Sequence, residues 1–91
     1  MNAAAGADMS GGDIRGLANE GLETWISSIC DILDEGIRSR ELRADIEPRR
    51  TANTIISLLE GALMMSRLEG RKEALIDAQA TLEGLFLTLA R

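Results

Sequence analysis

The sequence predicts an all-α fold of three helices, and three observations lead to that prediction. The apolar residues are mostly Leu, Ile, Ala and Met, while Val and Tyr, which are typical of strands, are absent. Apolar positions recur three and four residues apart in three segments, which is the spacing of one helix face. Pro48 and Gly70 stand at the two ends of the middle segment, where a helix typically begins and ends. The length of 91 residues allows one domain at most.

The first helix follows a segment without a helical pattern. Residues 1–12 are small and rich in Ala and Gly, so the sequence predicts a flexible leader there and a helical domain over 13–91. Asp13 is the predicted N-cap of a helix that runs to about Arg40. Apolar residues line one face of this helix and charged residues line the opposite face. It is therefore predicted to be amphipathic.

The second and third helices form a predicted antiparallel hairpin. The second runs from Pro48 to about Glu69, because proline at a first helical position has the required φ and no donor to satisfy. Gly70 is its predicted left-handed cap. The third helix begins near Arg71 and continues to the last residue. So short a turn makes the two helices antiparallel neighbours.

The centre of the second helix is apolar around nearly its whole circumference, and this feature predicts association. A domain of this size has too little structure to cover such a helix on every side. A stable monomer rarely leaves a large apolar patch exposed. The sequence therefore predicts a homodimer in which the second and third helices pair with those of a symmetry mate as a four-helix bundle. The residues predicted to lie in this interface are Ile55, Leu58, Leu59, Ala62, Leu63, Leu82, Leu85 and Phe86.

Charge and cysteine content argue against several classes of function. The net charge of −5 does not suit a nucleic-acid surface, which needs a concentrated basic face. Arginines cluster between Arg38 and Arg50, but acidic residues alternate with them, which favours a solvated helix end and loop over an anion site. The single cysteine, Cys30, excludes an internal disulfide and predicts a buried thiol in a reducing, cytoplasmic compartment. The sequence contains no pattern of a membrane helix or a secretory signal.

The sequence predicts no catalytic, metal or cofactor site. Histidine is absent, so a Cys–His pair is excluded. Asp31, Asp34 and Glu35 lie on the polar face of the first helix, where a solvated surface explains them better than a shared site. Asp45 and Glu47 lack the spacing of a calcium loop and are predicted to cap the second helix instead.

Four apolar residues are candidates for a ligand pocket. Methionine side chains repack readily, and a tryptophan beside them would give a pocket that accepts varied apolar ligands. Ordinary packing in the core or in the dimer interface is the alternative. The candidate pocket residues are Trp25, Ile29, Met64 and Met65.

Four motifs follow one another along the second half of the chain. They are ELRADIEP at 41–48, LLEGA at 58–62, SRL at 66–68 and an amphipathic segment from Ala74 to Phe86. This order resembles the C-terminal half of TetR-type transcription repressors, in which a long helix closes and the next begins at the proline. Arg40 stands where the family often has Gly, and Glu47 where it more often has Asp.

The resemblance implies a regulatory and dimerisation domain of a TetR-like regulator and not an enzyme. The last two helices would form the dimer interface, and the helix containing Trp25 would form one wall of a pocket for a small apolar effector. DNA would be bound only through an N-terminal helix-turn-helix domain that this sequence lacks.

Two alternatives remain open. One is a helical protein–protein interaction module without a ligand. The other is a small all-α enzyme that resembles chorismate mutases, which needs several basic residues directed inward to bind carboxylates. The basic residues considered for that role, Arg15, Arg67, Lys72 and Arg91, are scattered along the chain.

Overall fold

The computed structural model describes the backbone of residues 11–91 and the side chains from Arg15 onward. This part of the chain contains three helices and no strand, so the predicted all-α class is confirmed. Helix α1 spans Gly11–Arg38, helix α2 spans Pro48–Glu69 and helix α3 spans Glu73–Leu89. No helix in the described part combines the length and the apolar content needed to cross a membrane. The leader predicted at 1–12 lies, up to residue 10, outside the described residues.

Helix α1 reaches further towards the N-terminus than the sequence predicts. Gly11 and Gly12 are helical, so Asp13 lies inside the helix and the prediction that it is the N-cap is wrong. Each glycine costs roughly 1 kcal/mol relative to alanine in a helix. A helix of 28 residues tolerates that cost. At its other end α1 stops at Arg38, just before the predicted limit.

Two residues at the turn after α1, Gly36 and Arg40, lie in positions that favour glycine. Arg40 has a φ of 67°, in the left-handed region that favours glycine, and this is the position where the TetR pattern often has Gly. The carbonyl of Gly36 accepts hydrogen bonds from the N–H groups of Glu41 and Leu42, both at 3.0 Å. A Cβ on Gly36 would stand 2.5 Å from Leu42 Cδ1, so the chain folds back tightly on the end of α1.

Helix α2 begins and ends where the sequence predicts. Pro48 is its first residue, and Gly70 follows its last with a φ of 68°, so the predicted left-handed cap is confirmed. The N–H of Gly70 donates to the Ser66 carbonyl at 2.9 Å. Glu47 occupies the N-cap position in an extended conformation but forms no side-chain cap hydrogen bond. Its carboxylate pairs with Arg50 at 3.1 Å, so the predicted side-chain capping is wrong for Glu47.

Helix α2 lies between the other two helices. It packs against α1 on one side and against α3 on another, whereas no Cα atom of α1 lies within 8 Å of a Cα atom of α3. The arrangement is therefore open and not a closed three-helix bundle. The main apolar cluster joins α1 to α2: its buried members are Ile26, Leu33, Ala52 and Ile56, with Ile29, Cys30 and Leu42 packed against them.

The segment between α1 and α2 also holds the end of α3. The N–H of Arg43 donates to the Leu89 carbonyl at 2.9 Å, and the N–H of Arg91 donates to the Glu41 carbonyl at 3.0 Å. The guanidinium of Arg43 donates to the Thr88 carbonyl at 3.0 Å. A cation there also offsets the partial negative charge at a helix C-terminus. These bonds fix the far end of α3, although no Cα atom of α3 lies within 8 Å of a Cα atom of α1.

Candidate functional site

A groove of about 310 Å³ runs between α2 and α3, and we call it the hairpin groove. Its floor and walls consist mostly of small side chains, with two larger apolar residues at its side. From α2 it is lined by Ser57, Leu58, Gly61, Ala62 and Met65, and from α3 by Ala74, Asp77, Ala78 and Thr81. Small residues on two adjacent helices allow another helix to approach closely.

Two further grooves adjoin the indole of Trp25, and we call them the Trp25 grooves. One, of about 440 Å³, follows α1 and is lined by Ala18, Asn19, Gly21, Leu22, Trp25 and Glu60. The other, of about 550 Å³, follows α2 and is lined by Trp25, Glu60, Gly61, Leu63, Met64 and Arg67. Trp25 and Glu60 line both grooves, so the two form one continuous open surface across α1 and α2.

Four of the five arginines between Arg38 and Arg50 are paired with carboxylates of the described residues, and Arg40 is the exception. Arg43 binds Asp45 through two hydrogen bonds of 3.0 and 2.9 Å, and the pair lowers the pKa of the Asp45 carboxyl. Arg49 binds Glu23 of α1 through two hydrogen bonds of 2.6 and 2.9 Å. These bonds lower the pKa of the Glu23 carboxyl and raise that of Arg49. Because their charge is neutralised locally, these residues favour the predicted solvated surface over an anion site.

The family comparison agrees with the helical architecture. The sequence model of the tetracyclin repressor-like C-terminal domain matches residues 1–82 of the chain. The chain belongs to this family. Neither a search of curated proteins nor a search of solved structures found a match. The resemblance predicted from the motifs at 41–86 is therefore confirmed at the level of the family.

The residues predicted for the dimer interface lie on more than one side of this TetR-like domain. Leu58 and Ala62 line the hairpin groove, whereas Leu63 lines the α2 side of the Trp25 grooves. Ile55 is only 5% exposed, so the chain itself already covers it. Phe86 is the one exposed member. The half-buried members are Leu58, Leu59, Leu63, Leu82 and Leu85.

The residues predicted for the ligand pocket also lie on different surfaces of the domain. Trp25 and Met64 line the same groove and are 53% and 59% exposed. Met65 lines the hairpin groove instead. Ile29 is half-buried against the core that joins α1 to α2. Neighbouring methionines on one helix therefore face two different surfaces, because consecutive residues are about 100° apart around a helix axis.

Several lining residues were not identified from the sequence. Gly61, Asp77 and Thr81 belong to the hairpin groove, and Asn19 and Glu60 belong to the Trp25 grooves. Helical spacing shows which apolar residues lie beside each of these residues on its own helix. It does not show which other helix packs there, so the sequence could not assign them to a groove. In the described part of the chain, no three His, Cys, Asp or Glu side chains are arranged to hold a metal ion.

Proposed function

We propose that this domain joins two copies of a TetR-like regulator through α2 and α3, and that its Trp25 grooves form one wall of an effector site. The observation that carries the proposal is the open arrangement of the helices, in which α2 and α3 present an uncovered groove of small residues. Domains bury each helix against further layers of structure. A second copy of the hairpin supplies the missing layer.

The composition of the hairpin groove supports pairing with an identical surface. Gly61, Ala74 and Ala78 present little side-chain bulk, while Leu58 and Met65 beside them supply apolar area. In a two-fold dimer the larger residues of one copy would fill the space above the small residues of the other. Helices α2 and α3 overlap over about 25 Å, and two adjacent helices are about 20 Å wide. The resulting face of about 500 Å² per copy would bury about 1,000 Å² in total, which is the lower limit for a specific interface.

The Trp25 grooves support the effector role. They combine a half-exposed indole with Leu22, Leu63 and Met64, and a few polar groups interrupt this apolar lining. Small-molecule sites have this mixture of an apolar surface and few polar contacts. The Trp25 grooves lie on α1 and α2 and the hairpin groove lies on α2 and α3; they share only Gly61, so a ligand and a second copy would bind to different faces of α2.

Helix α2 contributes to both surfaces, and this gives a route for regulation. Gly61 lines the hairpin groove and also one of the Trp25 grooves. A ligand that favours one position of α1 against α2 would bias the position of the hairpin in the dimer. In a complete regulator this bias would change the spacing of two DNA-binding heads. The domain itself would act as a regulatory module and would neither bind DNA nor catalyse a reaction.

Sedimentation equilibrium over micromolar concentrations tests the association. We expect a dimer, whereas a compact monomer at all concentrations would contradict the proposal. Thermal melting with and without small apolar compounds tests the effector role, because a ligand that binds only the folded state raises its melting temperature. A dimer that no such compound stabilises would instead favour the interaction module without a ligand.

A further inference from the structure

We infer that the Trp25 grooves select a lipophilic organic cation. This inference rests on the proposed effector role and narrows it to one class of ligand. It depends on Glu60, which lines both grooves beside the indole. The features that carry it are the absence of an ion-pair partner for this carboxylate among the described residues, the lining of the groove that follows α1, and the charge of the whole chain.

The Glu60 carboxylate differs from four acidic residues that lie on or beside the α1–α2 loop, although Glu41 of that loop also forms no ion pair within the described part of the chain. Glu23, Glu35, Asp45 and Glu47 each pair with an arginine. Among the described residues, no lysine or arginine nitrogen lies within 4.0 Å of a Glu60 oxygen. The Trp25 grooves therefore contain a carboxylate that has no ion-pair partner among the described residues.

Arg67 forms no ion pair with Glu60. It lines only the groove that follows α2, and it lies seven residues after Glu60 in the same helix. The groove that follows α1 contains Glu60 as its single charged residue, together with Asn19, Leu22 and Trp25. That groove therefore has a net negative charge.

A ligand that covers this surface takes water away from the Glu60 carboxylate. A neutral ligand leaves the charge desolvated and without a partner, which is unfavourable. An anionic ligand adds repulsion from Glu60 and from a chain whose net charge is −5. A cation compensates for the lost water and also interacts favourably with the face of the indole. The apolar lining requires that the rest of this cation be hydrophobic.

The test uses two ions of nearly the same size and shape and of opposite charge, tetraphenylphosphonium and tetraphenylborate. Trp25 is the only tryptophan of the chain, so its fluorescence reports binding at this surface. We expect tetraphenylphosphonium to change the Trp25 fluorescence at lower concentration than tetraphenylborate. Its dissociation constant should rise with ionic strength, because salt screens the attraction.

Two variants locate the charge that is responsible. Glu60→Gln keeps the size of the side chain and removes its charge, and it should weaken tetraphenylphosphonium binding by about fivefold. Arg67→Gln is the matched control on the same helix and should leave that affinity equal or slightly higher. The inference is overturned if Glu60→Gln leaves the affinity for tetraphenylphosphonium unchanged, or if tetraphenylborate binds the wild type as tightly as tetraphenylphosphonium.

A neutral fluorescence probe, N-phenyl-1-naphthylamine, separates this inference from the proposed function. Binding of the neutral probe at Trp25 without preference for the phosphonium ion overturns cation selection and leaves the effector role standing. If none of the three compounds changes the Trp25 fluorescence, both the effector role and the cation inference are overturned. Dimerisation is measured separately by sedimentation and does not depend on these titrations.

Discussion

Replacing Gly61 by arginine should separate the proposed dimer without unfolding the chain. Gly61 lies inside α2 and lines the hairpin groove. A Cβ at this position meets no atom within 4 Å, so a single copy has room for a larger side chain. Arginine is also favoured over glycine in a helix interior by about 0.8 kcal/mol. The variant monomer should therefore be at least as stable as the wild-type monomer.

The same side chain has no room in the proposed dimer. Forcing extra atoms into a well-packed contact costs about 2 kcal/mol. Two-fold symmetry places the substitution in the interface twice, so the cost is about 4 kcal/mol for the dimer. Since 1.4 kcal/mol is a factor of ten, the dissociation constant should rise roughly a thousandfold. Sedimentation equilibrium measures this change, and circular dichroism melting measures the stability of the fold.

Gly16→Arg is the matched control. Gly16 also lies inside a helix with open space around its Cβ, but it belongs to α1 and lines neither the hairpin groove nor the Trp25 grooves. This variant should retain the wild-type dissociation constant. If Gly61→Arg dimerises as tightly as Gly16→Arg, the hairpin groove is not the interface. Aspartate at Leu59 or Leu82 would be less informative, because both are half-buried and the substitution would also weaken the fold.

Three further predictions concern the loop and its neighbours. Gly36→Ala should lower the unfolding free energy by up to about 2 kcal/mol in a urea titration, because the collision of the new methyl group with Leu42 outweighs the gain of about 1 kcal/mol from replacing a helical glycine; a higher midpoint would contradict that contact. Arg40→Gly should raise the unfolding free energy by up to about 1 kcal/mol, because it relieves a left-handed φ of 67°; a lower melting temperature would contradict this reasoning. Binding to Arg49 lowers the pKa of Glu23 below its ordinary value of 4.5, so this pair should stabilise the fold above pH 4.5 and lose its effect as the pH falls through the lowered pKa. The melting-temperature difference between wild type and Glu23→Gln should therefore be positive at pH 7 and vanish in acid, and a difference that persists at pH 2 would refute the assignment.

The family and the helices could be predicted from the sequence because they depend on local properties. Pro48 and Gly70 define the ends of α2 through their own backbone preferences, whatever the rest of the chain does. The motifs at 41–48 and 58–62 indicated the family for the same reason. Local preference alone misplaced the N-cap of α1, because two glycines in a long helix cost less than the helix gains by including them.

The surfaces could be predicted only in part, because they depend on where separate helices meet. The sequence identified Trp25 and Met64 as pocket candidates, and the tertiary structure brings them to one groove. The sequence alone could not show that Met65 faces the hairpin groove. It also could not show that Glu60 of α2 lies beside the indole of Trp25 on α1.

Sequence alone determined which segments are helical, where α2 starts and stops, and to which family the chain belongs. Tertiary structure decided which sides of α2 are covered by α1 and by α3 and which remain open. The physical reason is that helix formation is governed by interactions within a few residues, whereas burial depends on contacts between residues far apart in the chain. An apolar residue on α2 has the same local preference on every face, and only the packing of the other helices distinguishes a core position from an exposed one.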